Sequence, residues 1–256
     1  LSVAAERALL RRLGGGCHAA IGALAEMTAH ERYDAVIAST VLTGLSVRHV
    51  PAGARVLEEH NFLGRMMAER HARATGQIAR CRTWLTWRKD VAWERRLFSD
   101  FDLVTMVSET DRGAANDMGC GATRIEVVPN GADVLALAAV CPSSDAPDLI
   151  YPGSVTYDAN LEAVTWFAGE VLPRLRRLDP EAVLTVTGTT EDVRVDALES
   201  AGVRFTGRLD DVRPLIAGAK VCAIPVLPGG GTRIKALGAL ALGTPVVSTS
   251  KGVEGL

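Results

Sequence analysis

Short apolar runs recur along the chain, and most are continuous rather than alternating. YDAVIAS (33–39), ARVLEEH (54–60), FDLVTMVS (101–108) and RIEVVPN (124–130) occupy the first half. DLIYPG (148–153), AVLTVTG (182–188), VRFTG (203–207), KVCAIPV (220–226) and PVVST (245–249) occupy the second. Val/Ile-rich runs of this length predict parallel strands buried on both faces. Segments of helical spacing lie between them. SETD at 108–111 offers a serine cap with an acid three positions on, which predicts a helix start. After Asp158, the residues Leu161, Val164, Phe167, Val171 and Leu175 share one helical stripe. The repeated strand–helix–strand order predicts doubly wound parallel sheets.

The Pro/Ser/Asp-rich end of NGADVLALAAVCPSSDAPD (130–148) reads as a linker. It sets a boundary near residue 143, with one Rossmann-like domain over 1–142 and a second over 143–256. Ligands of open parallel sheets bind at the carboxyl ends of the strands, so two such domains predict a site in a cleft between them. Both ends read as cut. The chain opens inside the amphipathic segment LSVAAERALLRRL and stops at Leu256 just after a turn.

Composition narrows the function. With 256 residues, 48% of them apolar, the chain can bury a substantial core. A net charge of −2 and 5% aromatic content give no case for a nucleic-acid partner. The five cysteines are scattered without a CxxC pair, which fits a reducing compartment and argues against a zinc site. No apolar run reaches the roughly 18 residues of a membrane span. The expected location is cytoplasmic.

The most informative stretch is GGGTRIKALGALALGTPVVST (229–249). Gly229, Gly230 and Gly231 lack Cβ atoms and can bring backbone N–H groups close to an anion. A helix beginning near Thr232 adds the positive end of its dipole. Arg233 and Lys235 supply full charges, although two residues apart on a helix they point in different directions. GSV at 153–155 is the corresponding turn after the first strand of the same domain, so Gly153 is a second candidate. Taken alone, a glycine-rich turn with a solvated basic helix start would account for the same residues. No GxGxxG follows the first strand of either half, which argues against a dehydrogenase.

In order and spacing, the segments VSETDRGAANDMGCGATRIEVVPNGAD, YPGSVTYDANLEAVTWF, VRFTGRLDDVRPLIAGAKVCAIP, GGGTRIKALGALALGTPVVST and GVEGL resemble the family-4, group 1 type glycosyltransferases. The likeness runs over roughly residues 33–256. It implies a GT-B fold and a retaining hexosyltransferase that needs no cofactor. No DxD-like acidic pair stands at a strand end, and in LDDV (209–212) Asp210 or Asp211 sits where a helix cap belongs, so no metal is expected. The implied donor is a UDP-, GDP- or ADP-sugar, and the acceptor is a polysaccharide, a lipid-linked glycan or a small molecule. It also implies that His60 lies nearest the reacting sugar, and that backbone at Arg208 and Leu209 holds the nucleotide base. A glutamate that would grip the ribose is expected where this chain has Gly238. That departure keeps open a second reading, a non-catalytic relative that binds a nucleotide sugar or a partner. A nucleotide-sugar epimerase would want more acidic and histidine residues than His60 alone.

The stretch CRTWLTWRKDVAWERRLF (81–98) is basic and carries three tryptophans. Helical spacing puts Trp84, Trp87, Val91 and Phe98 on one face, expected to pack on the sheet, with Trp93 roughly opposite Trp84. The exposed remainder suits contact with an anionic membrane surface or a lipid-linked acceptor, diluted by Asp90 and Glu94. Peripheral contact at an inner membrane face is therefore a further expectation.

Overall fold

The computed structural model describes residues 32–48, 50–121, 123–229 and 234–256. Contacts divide the chain into two units, the first ending at Pro129 and the second running Asn130–Leu256. The fold class is the expected one: two α/β units, each built on a parallel sheet.

In the first unit β1 (Tyr33–Ser39), β2 (Ala52–Glu59), β3 (Leu103–Met106) and β4 (Ile125–Val127) pair in sequence order, all parallel. Parallel neighbours need a crossover between them, and α1 (Val41–Val47) makes the first one. The crossover from β2 to β3 is a helical hairpin of α2 (Leu63–Arg73) and α3 (Gln77–Phe98). Only the end of α3 reaches the core, where Leu97 and Phe98 are buried with Leu57, Phe62, Val104 and Met106. The rest of α3 runs antiparallel to α2, with Gly64 against Val91 and His71 against Trp87. The wheel is therefore only partly right. Trp87 and Val91 are half-buried and Phe98 is buried, but Trp84 is 46% exposed, and Trp93 packs against the core. Along its amino-terminal half α3 packs on α2, with His71 against Thr83 and Trp87, and the face that carries Trp84 is left to solvent. Next, α4 (Glu109–Asp117) starts as read, with the Ser108 hydroxyl accepting from the Asp111 amide at 3.1 Å.

The second unit begins with the short helix α5 (Val134–Ala138), inside the stretch read as leading into a linker. Asp133 caps it through the Ala136 amide at 3.0 Å. Five strands follow: β5 (Leu149–Pro152), β6 (Leu184–Thr187), β7 (Val203–Phe205), β8 (Val221–Ile224) and β9 (Val246–Ser248). They pair in the order β7-β6-β5-β8-β9, all parallel. Strand order thus reverses between β5 and β8. Every run named from the sequence contains one of these strands except ARVLEEH, which β2 overlaps but precedes by two residues.

The helical stripe after Asp158 is interrupted. Helix α6 (Asp158–Trp166) leads through a π-helical turn, Phe167–Val171, into α7 (Leu172–Leu175). Pro173 has no N–H to continue the α-helical ladder, and a wider turn absorbs the missing bond. One residue is gained, so Leu172 rather than Val171 is fully buried beside Val164 and Phe167. The remaining helices are α8 (Asp196–Ser200), α9 (Arg213–Gly218) and α10 (Ile234–Ala241). Asp211 caps α9, accepting from the Arg213 amide at 2.9 Å.

The hairpin docks tightly at Gly64. A Cβ there would stand 2.7 Å from Phe62 and 3.0 Å from Val91. Gly64→Ala is expected to destabilise the first unit by roughly 1–3 kcal/mol through overpacking, measured as a lower midpoint in urea unfolding.

Candidate functional site

The carboxyl ends of β5 and β8 flank the point where strand order reverses, the position at which open parallel sheets hold ligands. Three segments meet at this edge. The β5 exit carries Gly153 and Ser154, the β8 exit carries Gly229, and α10 brings Lys235. Gly229 has φ of 109°, a conformation that glycine alone adopts freely. Gly230, Gly231, Thr232 and Arg233 lie outside the described residues.

Lys235 is held by residues 75 and more positions away. Its ammonium donates to the Tyr151 hydroxyl at 2.9 Å and to Asn160 Oδ1 at 3.0 Å. It also lies 4.3 Å from the centroid of the Tyr151 ring, within cation–π range. Tyr151 is fully buried, and its hydroxyl donates to Asn160 Oδ1 at 2.6 Å. Asn160 in turn donates to the Ser154 carbonyl at 2.7 Å and fixes the β5 exit loop. Gly153 is where this network comes closest to the backbone. A Cβ on it would stand 3.0 Å from both Lys235 Nζ and Asn160 Nδ2. The absence of that carbon exposes backbone beside a fixed positive charge, a suitable place for an anion.

Neighbouring exits close the edge. The Ser154 hydroxyl donates to the Thr189 carbonyl at 2.7 Å, and Gly188 donates to the Gly207 carbonyl at 3.0 Å. The structure thereby brings the exits of β5, β6 and β7 together, with Arg208 exposed and Leu209 half-buried just past Gly207. Gly238 sits in the interior of α10, and a Cβ on it would meet nothing within 4 Å. A longer side chain would fit there without a clash. Glu254 is occupied elsewhere, paired with Lys251 at 2.7 Å.

In the first unit His60 follows the end of β2, half-buried, with Nε2 3.0 Å from the Ser39 hydroxyl at the end of β1. Thr40, the next residue, has φ of 84°. For a β-branched residue such a conformation costs on the order of 1–3 kcal/mol, and strain of this kind collects at functional turns. Glu58 is exposed and Glu59 is 4% exposed, as their alternation on the strand requires.

Buried carboxylates stand behind this edge. Glu94, fully buried on α3, accepts from the Leu63 amide at 2.9 Å and the Gly64 amide at 2.8 Å, capping α2. Burial pushes Glu94 up to about 7 against those two hydrogen bonds. Glu59 is pushed up to about 8, by burial first and then by the neighbouring Glu94 carboxylate. Asp111 is buried too, and it is paired with Arg65 at 2.8 Å.

Sequence reasoning missed Tyr151, Asn160, Ser154 and Ser39 as members of these edges. One signal was available for Tyr151, because a tyrosine in a buried strand needs a hydroxyl partner. Nothing in the sequence joined it to Lys235.

Two family models match. "Glycosyl transferase 4-like domain" covers residues 2–131 and "Glycosyl transferases group 1" covers residues 146–256. Glycogen synthase of Mycobacterium tuberculosis (strain ATCC 25618 / H37Rv) is 31% identical over 162 residues, 59% of this chain and 37% of that protein. Among solved structures, Anabaena Alr3699/HepE in complex with UDP and glucose aligns with a TM-score of 0.63 and 17% identity, over 91% of this chain and 63% of that one. Sucrose-phosphate synthase from Thermosynechococcus elongatus aligns with a TM-score of 0.68 and 15% identity, over 92% and 61% respectively. The chain thus spans little more than a third of the glycogen synthase and under two thirds of these structures. Both solved structures confirm the GT-B fold.

The carboxyl groups generate a pH prediction. Folded pKa values of about 8 for Glu59 and about 7 for Glu94 lie above the ordinary value of 4.5. The stability these protonated groups lend is complete below pH 4.5 and is lost as pH rises toward 8. Glu59→Gln should flatten this fall between pH 5 and pH 8 by a few kcal/mol at most, read from urea unfolding at both values.

Proposed function

The chain belongs to the group 1 glycosyltransferases, and we propose that it transfers a hexose from a nucleotide-diphosphate sugar to a glycan, lipid-linked or small-molecule acceptor. Transfer is proposed to retain the anomeric configuration and to need no metal. The observation that carries this reading is the fixed Lys235 ammonium beside the bare backbone of Gly153, at the carboxyl edge where strand order reverses. The complexes of HepE with UDP and with UDP-glucose support a nucleotide-sugar donor for a protein of this fold.

The chemistry asks for positive charge where the donor's diphosphate departs. In the proposed complex Lys235, Arg233, Thr232 and the backbone amides of Gly229, Gly230 and Gly231 meet the phosphates. The base lies against backbone at Arg208 and Leu209. His60 hydrogen-bonds the transferred sugar or the acceptor, and its contact with Ser39 orients the ring. The departing phosphate oxygen takes the acceptor proton on the face it leaves, so the new bond forms on that face. Because the donor is a soluble metabolite, the proposed location is the cytoplasm.

A second reading has its own observation. Gly238 leaves open space in α10 where a carboxylate would receive the ribose hydroxyls. If that contact is indispensable, the protein binds donors weakly and does not turn them over.

Calorimetric titration with UDP, GDP and ADP separates the two. Micromolar binding by the natural chain supports the enzyme, whereas binding seen only in Gly238→Glu supports the lapsed relative. Lys235→Ala and Arg233→Ala should each weaken diphosphate binding by roughly 1–3 kcal/mol. Unchanged affinity in both variants would remove the phosphate cradle. His60→Ala should lower turnover while leaving nucleotide affinity intact, and an unaffected rate would return it to a structural role.

A further inference from the structure

The hairpin of α2 and α3 carries a surface that the proposed transfer does not use. Between Arg70 and Phe98 the sequence has eight Arg or Lys and two acids, in a chain whose net charge is −2. Both acids point inward. Glu94 is fully buried under α2, and Asp90 is half-buried on the same side. The cations reach solvent. Arg80, Arg82, Arg88, Lys89, Arg95 and Arg96 of α3 are all exposed. The acids therefore do not dilute the outer face, as the sequence alone suggested they would.

An apolar ridge runs along the same face. Ile78 is 80% exposed, Leu85 45% and Trp84 46%, with exposed Cys81 between them. At 100° per residue, Ile78, Cys81, Leu85 and Ala92 form one stripe, with Arg82 and Lys89 on one flank and Arg88 and Arg95 on the other. Trp84 lies on the far side of the Arg88 and Arg95 flank, about a sixth of a turn from Cys81. An open hollow at the hairpin tip is lined by Thr75, Gln77, Ile78 and Arg82.

We propose that this face of α3 is a docking surface for an anionic lipid bilayer. Basic side chains meet the headgroups, while Ile78, Leu85 and Trp84 enter the boundary of the acyl layer, the arrangement of a helix lying in the interface. The helix rests on the surface and does not span it: among the described residues no helix is long and apolar enough to cross a membrane. Charge alone would equally fit a nucleic acid. The exposed Ile78 and Leu85 on the ridge and Trp84 at its side favour the bilayer, since a polyanion offers them no apolar phase. Trp is also the residue that partitions best to the headgroup level. The hairpin leaves the sheet at the end of β2, three residues after His60. This inference extends the proposed function by supplying a surface from which a lipid-linked acceptor would approach, but its test does not depend on activity.

The test is cosedimentation of the intact protein with vesicles of phosphatidylcholine alone and of phosphatidylcholine with about one third phosphatidylglycerol. Binding should be at least tenfold tighter to the anionic vesicles and should weaken as salt is raised. Arg82→Glu with Lys89→Glu should lower it at least tenfold. Brominated lipid should quench tryptophan emission, and Trp84→Phe should remove most of that quenching. Nucleotide titration of the same variants reports on the donor site separately, so failure of either reading is recognisable. The proposal is overturned by equal or absent binding to the two vesicle types, by binding indifferent to Arg82 and Lys89, or by tighter binding to duplex nucleic acid without dependence on Trp84.

Discussion

Parallel pairing is the constraint on which the rest of this molecule depends. A parallel strand cannot hand the chain to its neighbour by a tight turn, so each connection must cross the sheet and return. All exits then collect at one edge of each sheet. In the second unit that edge assembles Gly153, Gly188, Gly207 and Gly229 from four strand exits. In the first it sets Ser39 beside His60. Chemistry gathers there because the strands carry no hydrogen-bonding groups to spare and the exits do.

Lys235 shows how such an edge acquires a fixed charge. A lysine at a helix start ordinarily samples many rotamers in solvent, and holding it for a ligand costs side-chain entropy. Here Tyr151 and Asn160 have already restrained it through two hydrogen bonds and the ring face. The buried tyrosine satisfies its own hydroxyl through the same contacts, so the network serves both the core and the edge. Asn160 carries this order into the β5 exit loop by holding the Ser154 carbonyl. Preorganisation of this kind lowers the entropic cost of using such a charge for any anion.

The first unit sorts its charges by depth. Glu94 is drawn inward because the first amides of α2 need an acceptor, and it supplies two oxygens to them. Burial raises both Glu94 and Glu59 toward neutrality, with the Glu94 carboxylate adding to the shift of Glu59, so part of the unit's stability is tied to protons. The same helix then shows water a face of cations with an apolar ridge. One helix caps its partner with its inner face and carries a basic surface on its outer one.

The sequence by itself determined the strands, their parallel class and the two-unit plan, because continuous Val/Ile runs separated by helical stripes have few other ways to bury themselves. The caps at Ser108 and Asp211 were legible for a similar reason, since each is a local contact over two or three residues. Gly153, Gly229 and Lys235 were picked out from residue type alone, and the structure places them at one strand edge. Only the tertiary structure decided the rest. The bond from Lys235 to Tyr151 spans 84 positions, and no local pattern encodes a pairing that depends on β5 and α10 meeting at one edge. Pro173 was visible, but its displacement of the buried stripe by one residue depended on how the helix met the core. The inward turn of Glu94 and the outward turn of Trp84 were decided by α2, which covers one face of α3 from Thr83 to Glu94 and leaves another to solvent.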